Sequence, residues 1–224
     1  MMPRNAASRT WKRLFTDHAG MAVIEFAISL PFVVLVTMGG AELTNYTTTK
    51  MRMSQIALMV ADNASRVGTG TVLSNKTISE KQINDLLTGA GLQADKLKLF
   101  TKGRVIIRSL QPGATATQYV VQWERCKGMK SYTPTTYPAA TPTTQHTISG
   151  NPFKVTPPSN GAVIFVEIVY DYQPLLGSQF IDISEIRETA AMTVRDNRDY
   201  AGGTNGIYNA EGVTASSCSV YSAS

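Results

Sequence analysis

The sequence predicts an α+β protein: a long N-terminal helix, transmembrane and then stalk, packed on an extracytoplasmic antiparallel β-sheet. Three observations predict it. Residues 21–41 form an apolar run holding one charge, Glu25. Beyond the run, apolar residues recur at heptad spacing as far as residue 67. Several short alternating or β-branched segments then follow between residues 96 and 195, separated by Gly, Pro and Thr. The implied divisions are a basic leader (1–20), the helix (21–67) and an outer domain (68–224).

The apolar run has the length to cross a bilayer. At about 1.5 Å per residue it spans roughly 31 Å as a helix. The leader before it carries Arg4, Arg9, Lys12 and Arg13 against Asp17. Basic flanks stay on the cytoplasmic side, so the chain should cross once and place its C-terminal domain outside. The formal net charge is +5, and much of it lies in the leader. The body is nearly neutral and shows no dense basic stripe interleaved with aromatics, so nucleic acid is not an expected partner.

Three readings fit the run. In the first it is a secretory signal cut beyond its end, near Gly39, Gly40 and Ala41. In the second it is an uncut signal anchor. In the third the cut falls before the run, at Gly20, and the apolar helix stays on the mature chain. Glu25 favours the third, because a carboxylate inside a membrane helix is costly and marks function. A cut after Gly20 frees an amine at Met21, and Glu25 of one subunit can then neutralise the Met21 amine of a neighbour. Pro31 lacks an N–H and should kink the helix near residues 27–30.

The stalk is expected to continue from Glu42. Tyr46, Met53, Val60 and Val67 form one heptad row, and Leu43, Lys50, Ala57 and Ala64 a second. The row should lie against the sheet and end at Gly68-Thr69-Gly70. Met51, Met53 and Met59 read as packing residues rather than metal ligands. Ser79 and Gln82 make a capping box for a second helix, with Ile83, Leu86 and Leu87 as its apolar face and Gly89 or Gly91 as its stop. Strands are expected at 96–100, 104–110, 118–125, 162–172 and 189–195, the last preceded by a helical turn at 183–188. Residues 131–160 are rich in Thr and Pro and read as an exposed connection. The tail from Asp196 reads as irregular.

Cys126 and Cys218 are the only cysteines. Outside the cytoplasm they can pair and tie the tail to the sheet; two separate buried thiols are the alternative. No His or further Cys stands at ligand spacing, so neither metal nor cofactor is expected. His18 falls in the leader and His146 in the Thr/Pro segment, where solvation is the simpler reading. No Gly-x-Ser-x-Gly elbow, phosphate-binding Gly-Lys-Thr loop or His-Glu-x-x-His motif occurs, and no catalytic residue is expected. Glu167 and Asp171 share one face of a strand and read as edge or salt-bridge residues. Arg187, Arg195 and Arg198 stand among acids and read as solvated.

The run Gly20-Met-Ala-Val-Ile-Glu25-Phe26-Ala-Ile-Ser-Leu-Pro31 resembles the signature of the TadE-like minor pilins, or pseudopilins, of tight-adherence (Flp/Tad) pili. The resemblance is close over about 25 residues and extends to the rest only in layout, a pilin-like plan. It implies a type IV prepilin signal cut between Gly20 and Met21 by a prepilin peptidase. Glu25 then sets register, and Phe26 packs beside it. It also implies other pilin or pseudopilin subunits, pilus assembly machinery and the membrane as partners. The expected location is the bacterial inner membrane, with the outer domain periplasmic or in a surface pilus. The alternative function is a signal-anchored binding or sensor domain unrelated to pili.

Overall fold

The computed structural model describes residues 20–71, 74–132, 145–147, 155–177 and 184–223. Two compact units divide the chain, one up to Asn45 and one from Tyr46 onward. A single helix, α1 (Met21–Arg66), supplies the described structure of the first unit and opens the second.

In the first unit the apolar residues of α1 are exposed. Both hydroxyls of the apolar run turn back into the helix. Ser29 Oγ donates to the Phe26 carbonyl at 3.0 Å, and Thr37 Oγ1 donates to Val33 at 2.9 Å and Val34 at 3.0 Å. This leaves no hydroxyl hydrogen to be satisfied by solvent, as a lipid-facing helix requires. Pro31 lies inside α1 and does not end it.

The second unit is built on a five-stranded antiparallel sheet of order β4-β3-β2-β5-β6. Its strands are β2 (Gly103–Pro112), β3 (Gln118–Lys127), β4 (Gln145–Thr147), β5 (Val163–Asp171) and β6 (Glu185–Thr193). One face carries Val105, Ile107, Ile164, Val166, Ile168 and Trp123 into the main core. Met53, Ile56, Ala57, Val60, Ala61 and Ala64 of α1 join that core, so the heptad stripe faces the sheet as its spacing requires. Lys50 stays outside and reaches Glu188 at 3.9 Å. Met53 is buried and Met59 half-buried, whereas Met51 is 57% exposed.

The second helix, α2 (Glu80–Ala94), opens on the expected capping box. Gln82 N donates to Ser79 Oγ at 3.3 Å, and Ser79 N donates to Gln82 Oε1 at 3.0 Å. Neither Gly89 nor Gly91 stops it. The buried methyls of Ala90 and Ala94 keep the helix going, and Gly91 makes room for a ring: a Cβ there would lie 2.4 Å from Phe100 Cε2.

Residues 96–100 are not a strand. They form a 3₁₀ turn (Asp95–Leu97) and a single helical turn, α3 (Leu99–Lys102). Asp95 and Lys98 both take positive φ, which reverses the chain into β2. Five alternating residues are too few to separate the periods, and the burial of Leu99 is met equally by a turn. The expected helical turn before the last strand is absent for Glu185–Glu188, which belong to β6. The charges of Glu185, Arg187 and Glu188 read as a polar helix surface, but in the edge strand Glu188 shares the core-facing side with Ile186 and Ala190 and meets Lys50. Residues 178–183 lie outside the described residues.

The segment 131–160 is not wholly an exposed connection. Among its described residues, β4 pairs with β3 and sets His146 opposite Tyr119, while Val155 packs on the second apolar cluster and Pro157 is buried. The tail is largely irregular but contains β7 (Ile207–Tyr208), which pairs in parallel with β1 (Ile78–Ser79). Asp199 anchors its turn by accepting from the Tyr208 hydroxyl and from the N–H groups of Ala201 and Gly202. These donors hold the Asp199 carboxyl below the usual range.

Candidate processing and assembly segment

Gly20 stands immediately before α1, exposed, with its carbonyl accepting from Ile24 N at 3.2 Å. The bond between Gly20 and Met21 therefore lies at the boundary between turn and helix. A Cβ at Gly20 would meet nothing within 4 Å, so local packing does not require glycine here. Met21 is 58% and Phe26 64% exposed, and Glu25 is exposed between them. Glu25 lies four residues from Met21, so the two share a helix face. A free amine at Met21 would bring a positive charge to one turn from a carboxylate that has no charged neighbour within the apolar run. Gly20, Met21, Glu25, Phe26 and Pro31 are thus gathered by one helix and need no tertiary contact to be displayed. Residues 1–19, with the basic leader and His18, lie outside the described residues.

Cys126 and Cys218 form a disulfide, with their Cα atoms 4.7 Å apart. The Glu124 carboxylate lies beside the two sulfurs, but disulfide sulfurs are not thiolate ligands. Around this bridge the tail is held by bonds not foreseen in the sequence. Arg104, buried in β2, donates to the carbonyls of Gly128 at 2.8 Å, Cys218 at 2.6 Å and Val220 at 3.3 Å, and its guanidinium lies 4.2 Å from the Tyr221 ring centroid. Cys126 N and Gly128 N donate to the Ser216 and Ser222 carbonyls, each at 2.9 Å.

Two further arginines are also internal. Arg108 pairs with Glu124 and, at 3.1 Å, with Glu167; the Tyr132 hydroxyl donates to Glu167 at 2.8 Å. Glu167 is thus a buried salt-bridge residue of a central strand, not an edge residue, and Asp171 pairs with Lys130. Arg198 is buried rather than solvated. It donates to the carbonyls of Ala64, Ser65 and Val67, the last at 2.7 Å, and so satisfies the C-terminal end of α1. The signal for Arg104 and Arg108 was present, since arginines interrupt an otherwise β-branched strand at spacing four. Arg198 gave none, because only folding brings it to a helix end 134 positions earlier.

His146 is half-buried, with its ring centroid 5.3 Å from that of Tyr119, and burial holds its pKa below the usual value. This replaces the expected solvated side chain.

The fold and this segment define an α+β protein with one exposed apolar helix that fits a single-pass membrane anchor. Residues 20–67 match the family model of the TadE-like proteins, starting at Gly20 and stopping just past the end of α1. The N-terminal helix is therefore TadE-like. No curated protein and no solved structure matches the chain.

Proposed function

We propose that this chain is a minor pilin or pseudopilin that takes part in assembling a tight-adherence pilus. A prepilin peptidase cuts it between Gly20 and Met21, on the cytoplasmic side of the bacterial inner membrane. The outer domain then lies in the periplasm or in a surface pilus. One observation carries the reading: the TadE-like helix is exposed along its apolar run, satisfies its own hydroxyls, and keeps a single charge at Glu25. Such a helix is suited to lipid and to a bundle of like helices. In a bundle, Glu25 pairs with the Met21 amine of a neighbour, which offsets the burial of both charges and sets axial register. Phe26 packs beside that pair. The reading assigns no catalytic step and no cofactor to the chain.

The test is the mature N-terminus of the protein taken from its own cell's membranes. The expected start is Met21. An intact leader in cells with active prepilin peptidase would overturn the reading and leave an anchored binding or sensor domain. Glu25→Ala should still be cut yet fail to enter pili, and normal piliation by that variant would remove the role given to Glu25.

A further inference from the structure

The outer domain brings together a basic and apolar surface that composition conceals. Lys98 and Lys127 line a cleft of about 310 Å³ together with Leu92 and Phe100. Leu92 is 78% exposed although it lies on a helix whose other leucines pack inward. Lys127 Nζ sits 5.3 Å from the Phe100 ring centroid. Lys96 and Lys102 are exposed on the turns beside the cleft. Among the described residues no carboxylate pairs with any of these four lysines, and none lines the cleft. Asp95 is the one acid within the turns themselves.

The position of this surface indicates its occupant. Tyr46, where the chain enters the domain, meets Tyr172 edge-on at 5.3 Å. Two residues earlier, near the end of β5, the Tyr170 hydroxyl donates to the Leu97 carbonyl at 3.1 Å, and Tyr170 stands opposite Gly103. The lysine-bearing turns therefore occupy the end of the sheet beside Tyr46. Tyr46 follows Ala41, the end of the apolar run, by five residues, which is at most about 18 Å of chain. Chain length alone keeps this end within reach of whatever surface holds the run.

We propose that this cleft, with Lys96, Lys98, Lys102 and Lys127 and the exposed Leu92, docks the domain on anionic phospholipid headgroups of the bilayer that anchors it. The proposal rests on the anchor reading but not on cleavage or pilus assembly. Lysines present point charges on flexible stems, which suits a fluid anionic surface better than a fixed carboxylate fork does. An apolar side chain between them adds the shallow insertion that interfacial binding uses. The docked state belongs to the protein waiting in the membrane, and entry into a filament would release it.

The experiment reconstitutes the full chain in nanodiscs of phosphatidylcholine, with or without phosphatidylglycerol, and follows acetylation of each lysine by mass spectrometry. In anionic discs Lys96, Lys98 and Lys102 should react at least about fivefold more slowly than in neutral discs, and high salt should erase the difference. Lys81, exposed and paired with Asp85 on α2, should react alike in both. The triple variant Lys96→Gln, Lys98→Gln, Lys102→Gln should lose the lipid dependence at Lys127. Equal rates in an inserted wild-type chain would overturn the docking and leave the anchor standing. A chain that does not enter discs would overturn the anchor and the docking together. Protection in neutral discs that appears only when other pilus subunits are added would assign the face to an acidic protein partner and overturn the lipid proposal.

Discussion

Arg104 donates through Nη2 to the carbonyl oxygen of Cys218 at 2.6 Å, so this half-cystine is held by its carbonyl as well as by its sulfur. The two restraints act on one stretch of tail, and neither should suffice to release it when lost alone. With the cysteines 92 positions apart, the bridge is worth on the order of 4–5 kcal/mol by loop closure. Arg104→Met, which strips donors from three carbonyls, should cost about 2–4 kcal/mol. Amide exchange at Gly128 reads the tail directly, because its N–H donates to Ser222. We expect that amide to stay protected in Arg104→Met and in the paired Cys126→Ala, Cys218→Ala variant. It should exchange freely only when all three changes are combined. Full exchange in either simpler variant would show that the two restraints are not redundant.

Arg198→Met should destabilise the outer domain by about 2–4 kcal/mol, since carbonyls at the end of α1 lose their donor in a buried site. Arg198→Lys should recover only part of this, because a point ammonium cannot span three carbonyls as the guanidinium fork does. Urea unfolding of the detergent-solubilised chain measures both. A loss under 0.5 kcal/mol for Arg198→Met, the ordinary scale of a surface change, would refute the capping role.

Two glycines of α2 should respond in opposite directions. Gly89 has open space where a Cβ would stand, so Gly89→Ala should stabilise by about 0.5–1 kcal/mol. Gly91→Ala drives a methyl into the Phe100 ring and should cost about 1–3 kcal/mol. Thermal unfolding of the pair decides it, and equal shifts would mean that the ring moves aside freely.

His146 should titrate below its ordinary midpoint of about 6.5, because burial beside Tyr119 opposes its charged form. The sign follows from linkage. Above that midpoint the ring is neutral in both states and contributes no penalty. As pH falls through it, the unfolded chain takes up the proton first and the β4 edge weakens, until the folded ring is also protonated. Ring-proton chemical shifts against pH test this, and a midpoint at or above 6.5 would contradict the buried placement.

Loss of the buried pair should be costly. Glu167→Gln leaves Arg108 short of one carboxylate inside the sheet and should destabilise by about 3–5 kcal/mol. Replacing Arg108, Glu124 and Glu167 together by apolar residues of similar size should recover much of that loss. A harmless Glu167→Gln would show that solvent reaches the site.

Features that rest on local chemistry could be read directly from the chain. The α1 span, its inward stripe through Met53 and Val60, and the α2 capping box depend on spacings of three to seven residues. The segment from Gly20 to Pro31 belongs to the same class, because one helix displays it without help from the rest of the chain. Strands β2 and β5 were legible from their clusters of Val and Ile, and β3 from its alternation through Tyr119, Val121 and Trp123. Tertiary structure alone decided the rest. Lys96–Phe100 alternates like a strand, yet the sheet needed a reversal there, and Gly91 sits mid-helix because Phe100 arrives from outside it. Arg198, Arg104 and Glu167 look like surface charges until distant carbonyls and cations surround them. The lysine cleft joins residues from α2, two turns and β3 that are nearly neutral as a sequence average. A charge or a glycine takes its meaning from what folding places beside it, and spacing along the chain does not carry that information.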